Sequence, residues 1–455
     1  MQNERHVVVI GGTAAGLSAA SKAKRNLPDL KITVFERSGF VSYGACGLPY
    51  FVGDMIKEAN DLVTFTADDL INKRGIDTYI KYEVTKIDRQ NKTVTAKDLI
   101  TREIKEVRYT ELVIATGASP FVPAIEGVNL DGVHYLRTVE NGIEIKRRIQ
   151  NNSVKNAVII GGGFIGLEMA EELKLSGLNV TLIEAMPRLL PFLNEDFSDS
   201  VKETLIKNGV NVELSTTVTE ICGCNNKVTS VRTKDEKEFK ADIVIMSIGV
   251  KPNSELAKDA GLDIGYKGGI VVNEYMQTSD KDIYACGDCV QMFNLLTKEP
   301  TYVPLGTTAN KQGKIAGSNL SGEKESFKGV LGSGVTKVFD LYIASTGLTE
   351  EQAKKAGYNV ATTRITKGDR ASYYPGSEDN HLYLVFDSET GVILGAQAIG
   401  SFSVAGRINV FVAAITAGMT IPQINELDLV YSPSVAPVYD PILIATAQAI
   451  KKVKR

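Results

Sequence analysis

The segment VSYGACGLPYFVGD, residues 41–54, sets one cysteine, Cys46, among glycines, aromatic residues and a proline. The residues that follow it, GLPYFVGD, contain no second thiol, so no local disulfide can form. Cys46 comes soon after a glycine-rich loop, GGTAAG at 11–16, and a second such loop, GGGFIG, lies at 161–166. Each loop is entered by a short β-branched run and left through small residues: HVVVIGGTAAGLSAASKAKR in one stretch, NAVIIGGGFIGLEMAEELKLSG in the other. Both read as a strand, a glycine turn and a helix, so the chain carries an internal repeat of one nucleotide-binding unit.

The second copy matches G-x-G-x-x-G in full at Gly161, Gly163 and Gly166, and VTLIEA then brings Glu184 to the end of the next strand, about twenty residues on. The glycines let the backbone reach a pyrophosphate, the helix start offers unpaired N–H groups, and the carboxylate accepts from ribose hydroxyls. A 2′-phosphate would meet like charge there. The first copy keeps Gly11 and Gly16 but has Thr13 at the middle position, with KITVFER placing Glu36 at the matching strand end. Two dinucleotide sites in one chain point to a flavin and a nicotinamide. TSDKDIYACGDCV delivers Asp288 to a strand end, where it can hold the ribityl hydroxyls of FAD, and PLGTTANKQGKIAGSNL supplies a helix start facing the flavin ring. ELVIATGASPFVPAIEG and DIVIMSIGVKPNSEL are each a buried strand ending in a glycine turn and then proline, as expected where the chain passes between nucleotide domains.

The composition agrees with this reading. The chain has 455 residues, 43% hydrophobic and 23% charged, which suits a globular protein of several domains. A formal net charge of −3, with KKVKR as the one short basic run, gives no reason to expect a nucleic-acid partner. The most apolar stretch, VFVAAITAGMTIPQI, is broken by Gly418 and Pro422 and reads as a core helix, so no membrane partner is expected. The N-terminal apolar run fits a strand entering a turn better than an export signal. With only five cysteines, a reducing cytoplasm is the expected location.

Taken together, these motifs resemble the FAD-dependent pyridine nucleotide-disulfide oxidoreductases through nearly the whole chain. The resemblance implies an α/β fold with two Rossmann-like dinucleotide-binding domains and a C-terminal α+β dimerisation domain. FAD would be held by residues 1–120 and 250–325, NADH by an inserted domain at 121–249, and the interface domain would span 326–455. A homodimer follows, one subunit completing the other's site. Cofactor contacts are assigned to Gly11, Gly12, Ala15, Gly16, Glu36, Arg37, Ser42, Ala115, Thr116, Gly117, Gly161, Gly163, Ile165, Gly166, Glu184, Gly249, Gly287, Asp288, Gly306 and Thr307. No metal is expected.

The lone Cys46 resembles the family's single-cysteine branch: coenzyme A-disulfide reductases, persulfide or polysulfide reductases, NADH oxidases and NADH peroxidases. There the thiolate cycles to a mixed disulfide or a sulfenic acid. Oxidases and peroxidases of the family typically place a histidine in the first glycine loop, whereas His6, His134 and His381 all fall elsewhere. Coenzyme A-disulfide reductases carry two tyrosines from the partner's C-terminal domain, and Tyr373, beside Tyr374, and Tyr431 resemble that pair as proton donors to a departing thiolate. Lys22 and Arg25 resemble the residues that hold coenzyme A phosphates. Ala45 departs from the family, which commonly has Asn before the cysteine. The expected activity is transfer of hydride from NADH through FAD and Cys46 to a small disulfide, persulfide or polysulfide, with coenzyme A as substrate or bound mixed disulfide. NADH oxidase activity, or electron transfer from flavin to a protein partner, is the alternative. Cys222 and Cys224 sit in a polar turn, and Cys286 and Cys289 bracket Asp288; both pairs read as structural or incidental.

Overall fold

A computed structural model describes residues 5–151 and 153–454. The chain divides into two compact units, one of residues 1–154, 245–293 and 299–329, the other of residues 155–244, 294–298 and 330–455.

In the first unit the apolar run His6–Ile10 is a buried strand, flanked in a five-stranded sheet by Lys31–Glu36 on one side and Glu111–Ile114 on the other; Asp77–Ile80 and Ile283–Ala285 form the edges. Every pairing in this sheet is parallel. That is why these strands read as nearly continuous Val/Ile runs: both faces are covered. The helix Ala14–Asn26 packs along the helix Gly306–Leu320 at a spacing that only glycine allows, since a Cβ on Gly313 would lie 2.2 Å from the Ala15 carbonyl oxygen and one on Gly317 2.4 Å from that of Ala19. The small residues of both helices therefore fix where the Gly306 end points.

The second unit repeats the scheme, with parallel strands Asn156–Ile160, Asn179–Ile183 and Asn211–Glu213 and the helix Phe164–Leu175. It adds an antiparallel sheet in the order Gly334–Val338, Leu341–Gly347, Ile393–Gly400, Asp379–Asp387, Val360–Gly368. The helices Val404–Thr416 and Pro441–Ile450 close a core that includes Leu382, Leu384, Phe386, Ile408, Phe411, Ile442 and Ala445. The stretch around Gly418 is thus a core helix that stops at that glycine, whose φ is 67°. Among the described residues no helix is long and apolar enough to cross a membrane. Cys222 and Cys224 correct the sequence reading: they end the strand Val218–Cys224, and the turn itself is Asn225–Asn226, both at positive φ.

Three glutamates of the Phe164–Leu175 helix face the strand Gly334–Val338. Glu168 accepts from Thr336 Oγ1 at 3.0 Å, and Glu171 is paired with Lys337 and accepts from the Phe339 N–H at 2.8 Å. Glu172, 1% exposed, leaves Oε1 without a hydrogen-bond partner. Burial, and then the neighbouring Glu171 charge, push its pKa up to about 7, against a smaller opposing pull from Lys337. A carboxyl whose folded-state pKa is raised opposes folding once it must ionise, so the penalty grows from the ordinary carboxylate range up to about pH 7 and is constant above it. Glu172→Gln is expected to raise the Tm at pH 8 by about 2–4 °C and to leave it unchanged near pH 4; calorimetry at both pH values checks this.

Candidate active site

The two glycine turns are built alike. In the first, the Gly11 N–H donates to Phe35 O at 2.8 Å, and Glu36 accepts from the Gly12 N–H at 2.7 Å through Oε2 and from the Ser38 N–H at 2.7 Å through Oε1. In the second, Gly161 N–H donates to Ile183 O at 2.9 Å, and Glu184 accepts from Gly162 N–H at 2.6 Å and Met186 N–H at 2.7 Å. Gly11 and Gly161 both have φ of 109°, and a Cβ on Gly11 would stand 2.1 Å from the Ala115 carbonyl oxygen. Glycine is required there on both counts. The middle position is different. Gly163 caps its helix at φ −83° and Thr13 caps the other at φ −108°, so a side chain is tolerated and the irregular first motif still folds as the second does. A Cβ on Gly163 would meet nothing within 4 Å, leaving open space where a pyrophosphate can approach.

Around the first turn the structure gathers most of the other candidates of that unit. Ala15 and Gly16 form the first turn of their helix, and a Cβ on Gly16 would lie 1.9 Å from Gly11 O. Ser42, at φ 50°, donates its N–H to Gly12 O at 3.0 Å, a left-handed non-glycine residue held beside the cradle. Ala115, Thr116 and Gly117 follow the strand Glu111–Ile114, Thr116 Oγ1 donating to Asn253 O at 2.5 Å. Gly287 and Asp288 follow Ile283–Ala285, while Gly306 and Thr307 open a helix whose N-cap, Leu305, has no side-chain acceptor. Arg37 is exposed and pairs with Glu83 at 3.8 Å, and Gly249, at φ 108°, belongs to the first unit rather than to that of Gly161. In the second unit Gly166 is buried in its helix and Ile165 is 39% exposed.

Asp288 is pushed above the usual carboxylate range by burial, against the pull of Arg137, whose Nη2 donates to Oδ2 at 2.9 Å. Its Oδ1 is left to accept from a polyol chain. Arg137 also donates through Nε to Ala118 O at 2.9 Å, and nothing in its own stretch of sequence marks it. The cradle therefore fits FAD: a positive-φ glycine turn, a strand-end carboxylate, a second carboxylate with a spare oxygen and an uncapped helix start converge in one unit.

Cys46 is exposed in a 3₁₀ turn, Ala45–Gly47, that runs straight into the helix Leu48–Val52, and it is in no disulfide. Cys286 and Cys289 differ sharply. Both are fully buried, Cys289 Sγ donates to Cys286 O at 3.3 Å, and burial raises the Cys289 pKa to about 11 and pushes that of Cys286 well above the ordinary thiol value. Such thiols are held neutral and inert. In the second unit Tyr373 and Tyr431 stand with their hydroxyls 3.4 Å apart, both exposed, and the hydrogen bond between them raises the Tyr431 pKa. The backbone N–H of Tyr374 donates to Ala371 O at 2.9 Å.

Of the two basic candidates, Lys22 pairs with Glu323 at 2.9 Å and Arg25 is exposed. Arg25 lines a hollow of about 260 Å³ together with Lys24, Lys73 and Arg74, the last two brought from a helix far along the chain. His6 Nε2 lies 2.9 Å from Thr33 Oγ1, His134 is buried, and His381 Nδ1 lies 2.8 Å from Thr366 Oγ1.

Residues 5–313 match the model of the pyridine nucleotide-disulphide oxidoreductases, and residues 334–440 match that family's dimerisation domain. The chain belongs to this family. It is 41% identical over 442 residues, 97% of each chain, to an NAD(P)H coenzyme A polysulfide/persulfide reductase of Pyrococcus horikoshii, and 40% identical over 446 residues, 98% of each chain, to an NADH oxidase of Methanocaldococcus jannaschii. Its structure is similar to that of an NAD-dependent persulfide reductase from A. fulgidus, with a TM-score of 0.95 and 42% identity over 98% of this chain and 83% of the other. The chain is thus a flavin-dependent NAD(P)H oxidoreductase with FAD and NAD(H) as its cofactors, of the α/β fold expected.

The fixed place of Glu184 has a consequence for cofactor choice. A 2′-phosphate brought against this anchored carboxylate is repelled, so kcat/KM for NADH is expected to exceed that for NADPH by roughly tenfold or more, about 1.4 kcal/mol. Steady-state kinetics with both cofactors, on the wild type and on Glu184→Ala, checks this; equal values for the wild type refute it.

Proposed function

We propose that this protein reduces a low-molecular-weight disulfide, persulfide or polysulfide at Cys46, at the expense of NADH. The observation that carries the reading is the contrast among the thiols: Cys46 is the exposed one in the unit that holds the FAD cradle, while Cys286 and Cys289 are sealed in its core. FAD, when bound in this cradle, would supply the redox chemistry that links NADH to the return of oxidised Cys46 to the thiolate. The Cys46 thiolate attacks one sulfur of the substrate, its S–S bond breaks, and a thiolate leaves; the resulting mixed disulfide is then reduced by two electrons, releasing the second thiol. The glycine turns, with Glu36 and Asp288 on FAD and Glu184 on NADH, bind and orient the two cofactors.

Protonation of the leaving thiolate falls to the phenols of Tyr373 and Tyr431, which are protonated at neutral pH as an ordinary tyrosine is and stand hydroxyl to hydroxyl. We assign these to the partner subunit of a homodimer. The dimerisation domain supports this, as does its exposed apolar surface: Phe402, Val430, Val435, Val438 and Tyr439 are all more than 60% exposed in the single chain, as expected of a face that another copy covers. The hollow lined by Arg25, Lys73 and Arg74 supports a phosphate-bearing substrate such as a coenzyme A disulfide or persulfide, with Lys22 available if Glu323 releases it. The names of the relatives allow oxygen as a rival oxidant; the placement of all three histidines away from the first glycine loop favours sulfur. In domain terms we retain the four-part division, with FAD at 1–120 and 250–325, NADH at 121–249 and the interface at 326–455.

Cys46→Ser is expected to abolish turnover with coenzyme A disulfide or persulfide while stopped-flow reduction of FAD by NADH persists. Full turnover in that variant with every acceptor would mean that electrons leave the flavin without the thiol. Rapid oxygen consumption with no sulfur turnover in the wild type would establish the oxidase. Tyr431→Phe is expected to slow disulfide reduction by roughly 10²-fold with hydride transfer to FAD unchanged; an unaffected variant would leave Tyr431 as interface packing alone.

A further inference from the structure

Ten residues beyond Cys46 the chain closes around one buried cation. Lys146, on the helix Val139–Ile149, is 8% exposed, and its Nζ donates to Ile56 O at 3.1 Å and Lys57 O at 2.8 Å, pairs with Asp54 Oδ1 at 2.9 Å, and lies 4.3 Å from the centre of the Phe51 ring. All four partners belong to the segment that starts at the Cys46 turn. The helix Leu48–Val52 has only five residues, too few to hold its shape unaided. Its apolar face, Leu48 and Phe51, sits on Gly142 of the Lys146 helix, where an added Cβ would lie 3.1 Å from Phe51 Cδ1 and 3.3 Å from Leu48 Cδ2. Asp54 itself is left-handed at φ 66°, a backbone state that costs free energy and is kept here by its two lysine partners, Lys57 at 2.6 Å and Lys146. The hydrogen bond from Lys57, and then that from Lys146, hold its pKa down at about 2.

The same helix also grips the chain ahead of the cysteine. Glu140 Oε1 accepts from the Gly39 N–H at 2.7 Å and from Lys81 Nζ at 3.1 Å. The Val139–Ile149 helix thus holds both flanks of the Cys46 loop, one through a carboxylate and the other through an ammonium. We propose that Lys146 is a positioning residue for Cys46: its ammonium pins the 51–57 segment and so fixes the place and environment of the thiol without touching it. The inference rests on the reading that Cys46 is the thiol that meets the substrate.

Removing the ammonium leaves two carbonyls and a carboxylate without their buried partner, and the segment must open to hydrate them. In the FAD-loaded enzyme, Lys146→Met is expected to move the pH midpoint of Cys46 alkylation by iodoacetamide, followed by mass spectrometry, away from its wild-type value. It should also lower kcat for disulfide reduction at least roughly tenfold, since a shift of about 1 Å in a reacting group can cost more than that. Stopped-flow reduction of FAD by NADH should stay within twofold of wild type. Lys146→Arg, which keeps the cation and its reach, should restore both the midpoint and kcat. Asp54→Asn removes one exposed partner and keeps a residue type that tolerates left-handed φ; it should shift the midpoint in the same direction by less. An unmoved midpoint in both Lys146→Met and Asp54→Asn, a smaller fall in kcat, or a loss shared equally by flavin reduction overturns the inference. Failure of the underlying reading is separate: it shows as full disulfide turnover in Cys46→Ser, and in that case the alkylation midpoint alone decides whether Lys146 positions the thiol.

Discussion

A carboxylate at the end of a β-strand, accepting backbone N–H groups from the glycine turn at the end of the neighbouring strand, is the contact on which both nucleotide sites depend. Glu36 does this for Gly12 and Glu184 for Gly162, at 2.7 and 2.6 Å. The arrangement requires the turn to pass close to its neighbours, and this is possible only where a Cβ is missing, as at Gly11. Once the turn is fixed, the helix that follows must start at it, and the small residues along that helix decide how its partner, Gly306–Leu320, can lie. Strand, turn, carboxylate and second helix are therefore one constraint expressed four times.

The thiols show how environment sorts identical side chains. Cys286 and Cys289 share the unit with Cys46, yet burial holds them protonated, with Sγ of Cys289 turned to backbone carbonyls. Cys46 is in an exposed turn on a short helix that depends on its surroundings for shape. Reactivity in such a place requires that the loop be held from outside, and the Val139–Ile149 helix does so with Glu140 on one flank and Lys146 on the other. The site thus keeps its thiol accessible and takes its rigidity from a helix that bears no chemistry of its own.

Charge is used differently in the second unit. Glu171 is matched by Lys337 and a backbone N–H, whereas its neighbour Glu172 is buried with an unpartnered oxygen. Two adjacent carboxylates on one helix cannot both find the single lysine, so the second is held near neutrality. The contact between helix and sheet is therefore sensitive to pH in a range where an ordinary carboxylate is already ionised.

The sequence by itself determined the two glycine turns, their strand-end carboxylates Glu36 and Glu184, the single-thiol loop and the α/β class, because each is written in neighbours: a β-branched run, glycines at fixed offsets, a carboxylate one strand later. It also carried the family, since those local signals fall in one order along the chain. Thr13 looked irregular in sequence and turned out to be harmless, because its φ is negative, at −108°, and needs no glycine. What only the tertiary structure decided are the contacts made across long separations. Arg137 reaches Asp288 over 151 positions, Lys146 reaches Lys57 over 89, and Arg74 joins Arg25 at one hollow. It also brought the Tyr373 hydroxyl to that of Tyr431, 58 positions along the chain. A side chain's partner at such distances is set by how helices and sheets pack, and no local spacing records it.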